Sequence, residues 1–318
     1  MNPNRCSKNP KWSYYLNAVA RYFLTLLHKP QLHSLDAILN KRQDAEYILR
    51  RTNYYNKLSK SFELPEDAPL LADNTFKNKL GNSVYFFDTH EYLRYFPDNL
   101  RWLHIPGDVT VVPNYPTIVK SRPIAEDNAN SVLLNLNKVR HFVFVEDNLP
   151  YLQKSDMAIF RGKVSGKPKR KEFFNLYFGN PLCDLGDTSH GGDTPKEWKT
   201  SKMSIPKQLK YKFILSIEGN DVASNLKWIM SSNSIAVMPK PEFETWFMEG
   251  ELLPDYHYIE IKKDFSDLEE KLQYYLKNEN LAFEIIRNAN EYVSQFLDAK
   301  REKLISLMVL DKYFKLER

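Results

Sequence analysis

Little in this chain of 318 residues is built for the familiar phosphate-binding loops or for a disulfide framework. Only ten residues are glycine and only two are cysteine. The glycines never group as GxGxxG or as a P-loop, so no standard dinucleotide or ATP fingerprint is present. Cys6 and Cys183 lie far apart and form no CxxC. That excludes a disulfide scaffold and a structural zinc, and points to a reducing compartment. No DxD is found anywhere. No apolar h-region with a small-residue cleavage site follows Met1, and no stretch is apolar for the length a bilayer requires. Residues 12–29 come nearest, with Tyr15, Val19, Tyr22, Phe23, Leu26 and Leu27 at helical spacing, but Asn17, Arg21 and Lys29 interrupt them. The segment reads either as an interfacial helix lying along an inner membrane or as a helix packed on the protein's own surface.

Hydrophobic residues make up 42% of the chain, aromatics 14% and charged residues 27%, which describes a globular protein of two medium domains. A net charge of +5 favours anionic partners such as nucleotide sugars, phosphorylated glycolipid or an anionic membrane face. It is too small to argue for nucleic acid.

Residues 210–238 carry the most information. An apolar run (Phe213, Ile214, Leu215, Ile217) stops at Glu218-Gly219, a polar turn follows with Asn220, Asp221 and Ser224, then a helical segment, then a second apolar run at 235–238. In a parallel α/β sheet such a loop lies at the carboxyl end of a strand, where free backbone N–H groups hold phosphate or ribose. An ordinary βαβ turn, with glycine relieving strain and Asp or Ser capping a helix, has the same spacing.

The rest of the chain reads as helices over residues 12–60, with Ser34 and Asp36 as starting caps. Strands follow at 84–87, 102–105, 109–112 and 157–160, with loops around Pro113, Pro116 and Pro123. A polar loop over 184–194 contains Ser189-His190-Gly191-Gly192-Asp193. Strands at 213–217, 235–238 and 257–261 alternate with helical segments, and a helical tail runs from 268 to about 314.

Several of these words resemble glycosyltransferase family 90, the capsule-associated and protein O-glucosyltransferase group, and above all its short bacterial members that build lipopolysaccharide core. Lys210-Tyr211, Gly219 and Ala223-Ser224 match the family's donor-binding stretch, though Leu226 stands where the animal members carry Arg, with Lys227 beside it. Ile159-Phe160-Arg161-Gly162 looks like the family's Phe-Arg-Gly, and Arg170 like the Arg that follows. Leu253-Pro254, His257-Tyr258 and Asp267-Leu268 resemble the closing signature. Gly107-Asp108, Pro113, residues 120–123 and residues 140–142 read like the bacterial branch. The match runs over about residues 84–298.

The resemblance implies a GT-B fold: two Rossmann-like domains facing a cleft, with a helical N-terminal extension and long C-terminal helices. Residues 1–140 would form the acceptor-side domain, 141–290 the nucleotide-sugar domain, and 291–318 a helix crossing back to the first. It implies an inverting, metal-independent transfer of a hexose from a UDP-sugar to a lipopolysaccharide or lipooligosaccharide core, in the cytoplasm and peripheral to the inner membrane. Capsular glycan or a protein hydroxyl is the rival acceptor, and a non-catalytic nucleotide-binding module the rival class.

Inverting transfer needs a base, a cation for the leaving diphosphate and a nucleotide pocket. Asp108 is the candidate base, with Asp88 and Glu91 as alternatives; an Asp after Gly is also a common turn residue. Arg161 is the candidate cation, since a guanidinium binds phosphate oxygens in a bidentate manner, against a plain ion pair to Asp156 or Glu172. Gly162, Arg170, Glu218, Gly219, Asn220, Ala223, Ser224, Lys227 and Glu242 complete the donor set. Lys120, Arg122 and His190 are acceptor-side candidates. The run 167–171 (KPKRK) reads as a solvated or membrane-facing loop. His190 with Asp187 and Asp193 could hold a cation, but the adjacent glycines favour a mobile loop on the acceptor side.

Overall fold

The computed structural model describes residues 11–317. Cys6 therefore lies outside the described residues. Ten short strands run through it: β1 (His104–Ile105), β2 (Thr117–Val119), β3 (Ser121–Pro123), β4 (Ser131–Leu133), β5 (Ser155–Gly162), β6 (Cys183–Asp187), β7 (Tyr211–Leu215), β8 (Ile235–Met238), β9 (Phe243–Thr245) and β10 (Ile259–Glu260). The chain divides into two compact units. One holds residues 141–242 and 249–295; the other holds residues 11–140 with 243–248 and 296–317. The protein is thus a mixed α/β structure with parallel sheets and many helices.

In the 141–295 unit a five-stranded, all-parallel sheet has the order β10-β8-β7-β5-β6. A parallel sheet covered on both faces requires strands that are apolar throughout rather than alternating, and Phe213, Ile214 and Leu215 on β7 and Ile235 and Val237 on β8 are all buried. Phe173 and Phe174 from the helix Pro168–Tyr177, Leu268 and Leu272 from Leu268–Lys277, and Ile285 from Glu279–Ser294 close over them.

The other unit has a three-stranded parallel sheet, β1-β2-β4, and a two-stranded antiparallel ribbon, β3-β9. Helix Ala45–Tyr55 packs on the terminal helix Ala299–Leu316, whose first turn is capped by the Asp298 side chain. Between them lies a buried polar knot. Arg51 is fully buried and paired with Glu302 at 2.5 Å, Trp246 Nε1 donates to the same carboxylate, and the Tyr55 and Trp246 rings stack at 3.8 Å.

Four local expectations are corrected. Residues 84–87 are not a strand but the start of helix Ser83–Leu93, in which eight residues are buried; a short apolar run has no period to distinguish the two. Residues 109–112 form no strand, and Val111 points to solvent. The proline-marked stretch instead holds β2 and β3, with Pro123 as the last residue of β3, opposite Phe243. The polar loop assigned to 184–194 starts later, because Cys183–Asp187 pairs with β5 as β6. Ser34 caps its helix as expected, accepting from Ala37 N at 3.2 Å, whereas Asp36 sits in the first turn.

Candidate active site

The order of the larger sheet sets where a ligand can reach it. From β5 the chain crosses through Pro168–Tyr177 to β6 on one side, then returns to β7 on the other side of β5 and moves outward to β8 and β10. The connections leaving β5 and β7 therefore diverge. The crevice at such a switch point, outside the carboxyl ends of the strands, is the general ligand site of open α/β sheets. The loops that open there are residues 163–167 after β5 and 216–225 after β7, the second of which carries half of the donor set read from the sequence.

One side chain joins them. The Arg170 guanidinium donates to Lys163 O at 2.9 Å and to Ile217 O at 2.8 and 3.0 Å, and lies over the Phe160 ring at 5.4 Å. Gly219 is where this arm passes, since a Cβ there would stand 3.3 Å from Arg170 Nη2. Gly162 has a Cβ direction 2.9 Å from Phe160 Cζ and 3.7 Å from Arg170 Nη1. Both glycines keep backbone close to the arginine.

Residues 167–171 are not a solvated loop. Pro168 occupies the first turn of helix Pro168–Tyr177, where proline's fixed φ is tolerated, and that turn sits beside the two loops. Lys167 Nζ reaches Asn220, Lys169 Nζ bridges Glu218 at 3.2 Å and Glu242 at 2.7 Å, and Lys171 pairs with Asp193 at 3.1 Å. The cap and first turn of the helix hold four cations and no acidic residue of their own, which opposes the helix dipole and favours an anion there. Sequence reasoning missed Lys167 and Lys169; the signal was the proline, which marks a helix start rather than a loop. Glu242 also meets Lys263 at 2.9 Å, and hydrogen bonds from Lys169 and Lys263 hold its carboxyl below the usual range. Its backbone N donates to Glu218 Oε1 at 3.0 Å.

Arg161 lies at the carboxyl end of β5 and turns sideways onto β6. Nη2 meets Asp184 Oδ1 at 2.6 Å and Nη1 donates to Asp184 O and Phe160 O, while Nε has no partner. Its acidic partner is thus Asp184 rather than Asp156 or Glu172; Asp156 pairs with Lys212. Ala223 is buried and Ser224 half-buried ahead of the short helix Leu226–Met230. Lys227, in that helix, is fully buried and paired with Glu249.

The 188–199 loop is fixed by Asp187. Val164 N, Ser189 N and Ser189 Oγ donate to Oδ1, and Thr194 Oγ1 and Lys199 Nζ to Oδ2. Burial would raise this carboxyl, but the bonds from Lys199, Ser189 and Thr194 hold it well below its ordinary range. Gly192 (φ +96°) crosses Ser165 so closely that a Cβ would fall 1.9 Å from its Oγ. His190 is exposed on this loop. Among the described residues no group of three His, Cys, Asp or Glu side chains is placed to hold a metal ion.

In the second unit the carboxyl ends of β1, β2 and β4 gather Asp108, Lys120 and Asn135. Asp108 follows Gly107 (φ +97°) and takes the buried Lys120 ammonium at 2.7 Å, keeping 31% of its side chain exposed. Asn135 is buried and its Oδ1 has no partner. Arg122 is buried too, held by Glu244 at 2.7 Å and by Ser131 O and Tyr54 O, so it knits β3 to β9. Asp88 is also enclosed, accepting from Tyr14 OH at 2.8 Å and Lys138 N at 3.0 Å, with burial pushing its carboxyl up. Glu91 pairs with Arg21 and Lys138, both at 2.6 Å. Of the three base candidates, Asp108 alone stands beyond a strand's carboxyl end, since Asp88 and Glu91 lie on helix Ser83–Leu93.

A family model described as glycosyl transferase family 90 matches residues 130–318. The chain is 43% identical over 269 residues to the O-glucosyltransferase LpsA of Dichelobacter nodosus, covering 85% of this chain and 83% of that protein. It is 29% identical over 168 residues to protein O-glucosyltransferase 3 of Homo sapiens, covering 51% of this chain and 32% of that protein. O-glucosyltransferase rumi of Drosophila pseudoobscura pseudoobscura is 27% identical over 176 residues, covering 53% and 42%. The chain spans well under half the length of these two animal relatives.

Proposed function

The chain belongs to glycosyltransferase family 90, and on that premise we propose that it moves a hexose from a UDP-sugar to a lipopolysaccharide or lipooligosaccharide core hydroxyl with inversion. Glucose is the sugar to test first, because the relatives named above are O-glucosyltransferases. In this reading the chain has the GT-B organisation, with the 141–295 unit taking the donor and the other the acceptor.

The observation that supports it is the cationic first turn of Pro168–Tyr177 set at the switch point of a parallel sheet. Lys167, Lys169 and Arg170 supply the positive charge that a diphosphate requires, and the helix N-terminus adds its own partial charge. Charge that develops on the departing UDP is stabilised by donors already in place, so no metal is needed in the proposal. Glu242, kept ionised by two lysines, is the acceptor for ribose hydroxyls. Arg161 adds a guanidinium at the same strand end. Asp108 takes the proton of the attacking hydroxyl as the new bond forms.

Titration calorimetry with UDP, UDP-glucose and UDP-galactose tests the donor half. Binding of UDP that is lost on Lys169→Ala supports the site; absence of any UDP binding by the folded protein overturns it. The sugar composition of lipopolysaccharide from a strain lacking the chain tests the acceptor. A protein hydroxyl is the second reading, favoured by the 29% identity to protein O-glucosyltransferase 3, and unchanged lipopolysaccharide with loss of a glucosylated protein would select it.

A further inference from the structure

Helix Lys11–Leu27 presents two opposite faces. Tyr14, Ala18 and Tyr22 pack on Phe86 and Phe87 of helix Ser83–Leu93, Tyr14 OH bonds to Asp88, and Arg21 pairs with Glu91 at 2.6 Å. The other face is apolar and uncovered. Trp12, Leu16, Phe23, Leu24, Leu26 and Leu27 are each between 59% and 85% exposed. At 3.6 residues per turn they fall within an arc of about 160°, and no charged residue of the helix shares that arc. Phe76 and Leu80, also exposed, extend the patch from the neighbouring loop, where the Phe76 ring lies 6.5 Å from that of Tyr22. A contiguous apolar surface of this kind on one helix calls for an occupant.

Charge selects the occupant. The first 35 residues contain Arg5, Lys8, Lys11, Arg21 and Lys29 and no Asp or Glu, so they carry the entire net charge of +5 while the remainder of the chain is balanced. Arg21 is matched by Glu91 and Lys29 by Asp98. Lys11 and Lys77 are exposed beside the apolar face, and Lys79 stands 4.4 Å over the Phe76 ring. A second copy docked face to face would bring the same cationic flanks together. No described helix is long and apolar enough to cross a membrane.

We propose that this face of helix Lys11–Leu27 lies in the interface of an anionic lipid bilayer, with Trp12, Leu16, Phe23 and Leu27 among the acyl chains and the flanking lysines on the headgroups. An apolar face bounded by cations is the arrangement that binds such a surface in the plane of the membrane. The inference uses none of the sugar-site residues and goes beyond the transferase reading, so either can fail alone.

The test is flotation of the whole protein with vesicles of phosphatidylcholine alone and of phosphatidylcholine mixed with phosphatidylglycerol. The expected result is binding to the mixed vesicles that falls about tenfold or more on neutral lipid or in high salt. The variant Leu16→Asp with Phe23→Asp should lose about tenfold or more of that binding, with its far-ultraviolet circular dichroism and UDP titration unchanged. If that variant does not fold, Lys11→Glu with Lys77→Glu should weaken binding to the mixed vesicles alone. Wild-type protein that ignores anionic vesicles, binding that is equal on both lipids, or wild-type binding by the folded variants overturns the proposal. So does a wild-type dimer that the first variant dissociates while vesicles are never bound.

Discussion

Lys120 is buried at the end of β2 and delivers its ammonium to Asp108 at 2.7 Å, while 31% of that aspartate's side chain stays exposed. A buried cation paired with a partly exposed carboxylate helps to position it, since separating the two would break an ion pair inside the fold. Asp108 is therefore oriented from within, which suits the base role proposed for it.

Replacing Asp108 with Asn keeps the shape and removes the proposed base. Transfer should fall by about 10²- to 10⁴-fold while UDP-sugar affinity stays near wild type. Initial rates with titration calorimetry on the same protein separate the two, and a normal rate in Asp108→Asn would remove the assignment.

Gly219→Trp should push the Arg170 guanidinium off the carbonyls of Ile217 and Lys163, because even a Cβ would stand at 3.3 Å. UDP affinity is expected to drop well beyond the loss for Ser224→Ala, about 1 kcal/mol for a single hydrogen bond. Unchanged UDP affinity in the folded Gly219→Trp protein would move the donor site elsewhere.

Arg161→Ala should lower kcat by roughly 10²-fold, the usual effect of removing one charge-stabilising donor. Arg161→Lys should recover part of it. Because the guanidinium also holds Asp184 at 2.6 Å, Asp184→Asn is the control: it loosens the β5–β6 contact and keeps the cation. Equal losses in both variants would make Arg161 a strand clamp rather than a catalytic residue.

Lys227→Met should destabilise the fold by about 3–5 kcal/mol, since the buried Glu249 carboxylate loses its ion pair with Lys227. Adding Glu249→Gln should recover much of it. Denaturant midpoints of the two proteins and the wild type give the comparison, and no loss in the single variant would mean that Glu249 finds another partner.

Stability should also fall in mild acid. Burial lowers the pKa of both His90 and His104 to about 4, below the value near 6.5 of an unfolded histidine. The unfolded chain therefore binds more protons between those values. Stability is full above about pH 6.5 and declines as pH falls toward 4, by roughly 1 kcal/mol per pH unit or less for each histidine. A denaturation series across that range, repeated on His104→Gln, should show a shallower slope in the variant.

The sequence by itself determined the parallel sheet around β5, β7 and β8, because strands buried on both faces must be apolar along their whole length and few other structures read that way. It also marked the loop 218–224 and the Phe-Arg-Gly end of β5, where the chain changes abruptly from apolar to polar. Tertiary structure decided what no local pattern contains. Residues 84–87 became helix because the packing around them, not their own period, buries all four. Arg122 and Lys227 look like available cations in the sequence, yet each is enclosed with a glutamate 22 or more positions away, at Glu244 and Glu249. The run 167–171 looks solvated, yet it turns toward loops about 50 residues further along, at Ile217, Glu218 and Asn220. Charge pairing depends on distance in space, and a sequence records only distance along the chain.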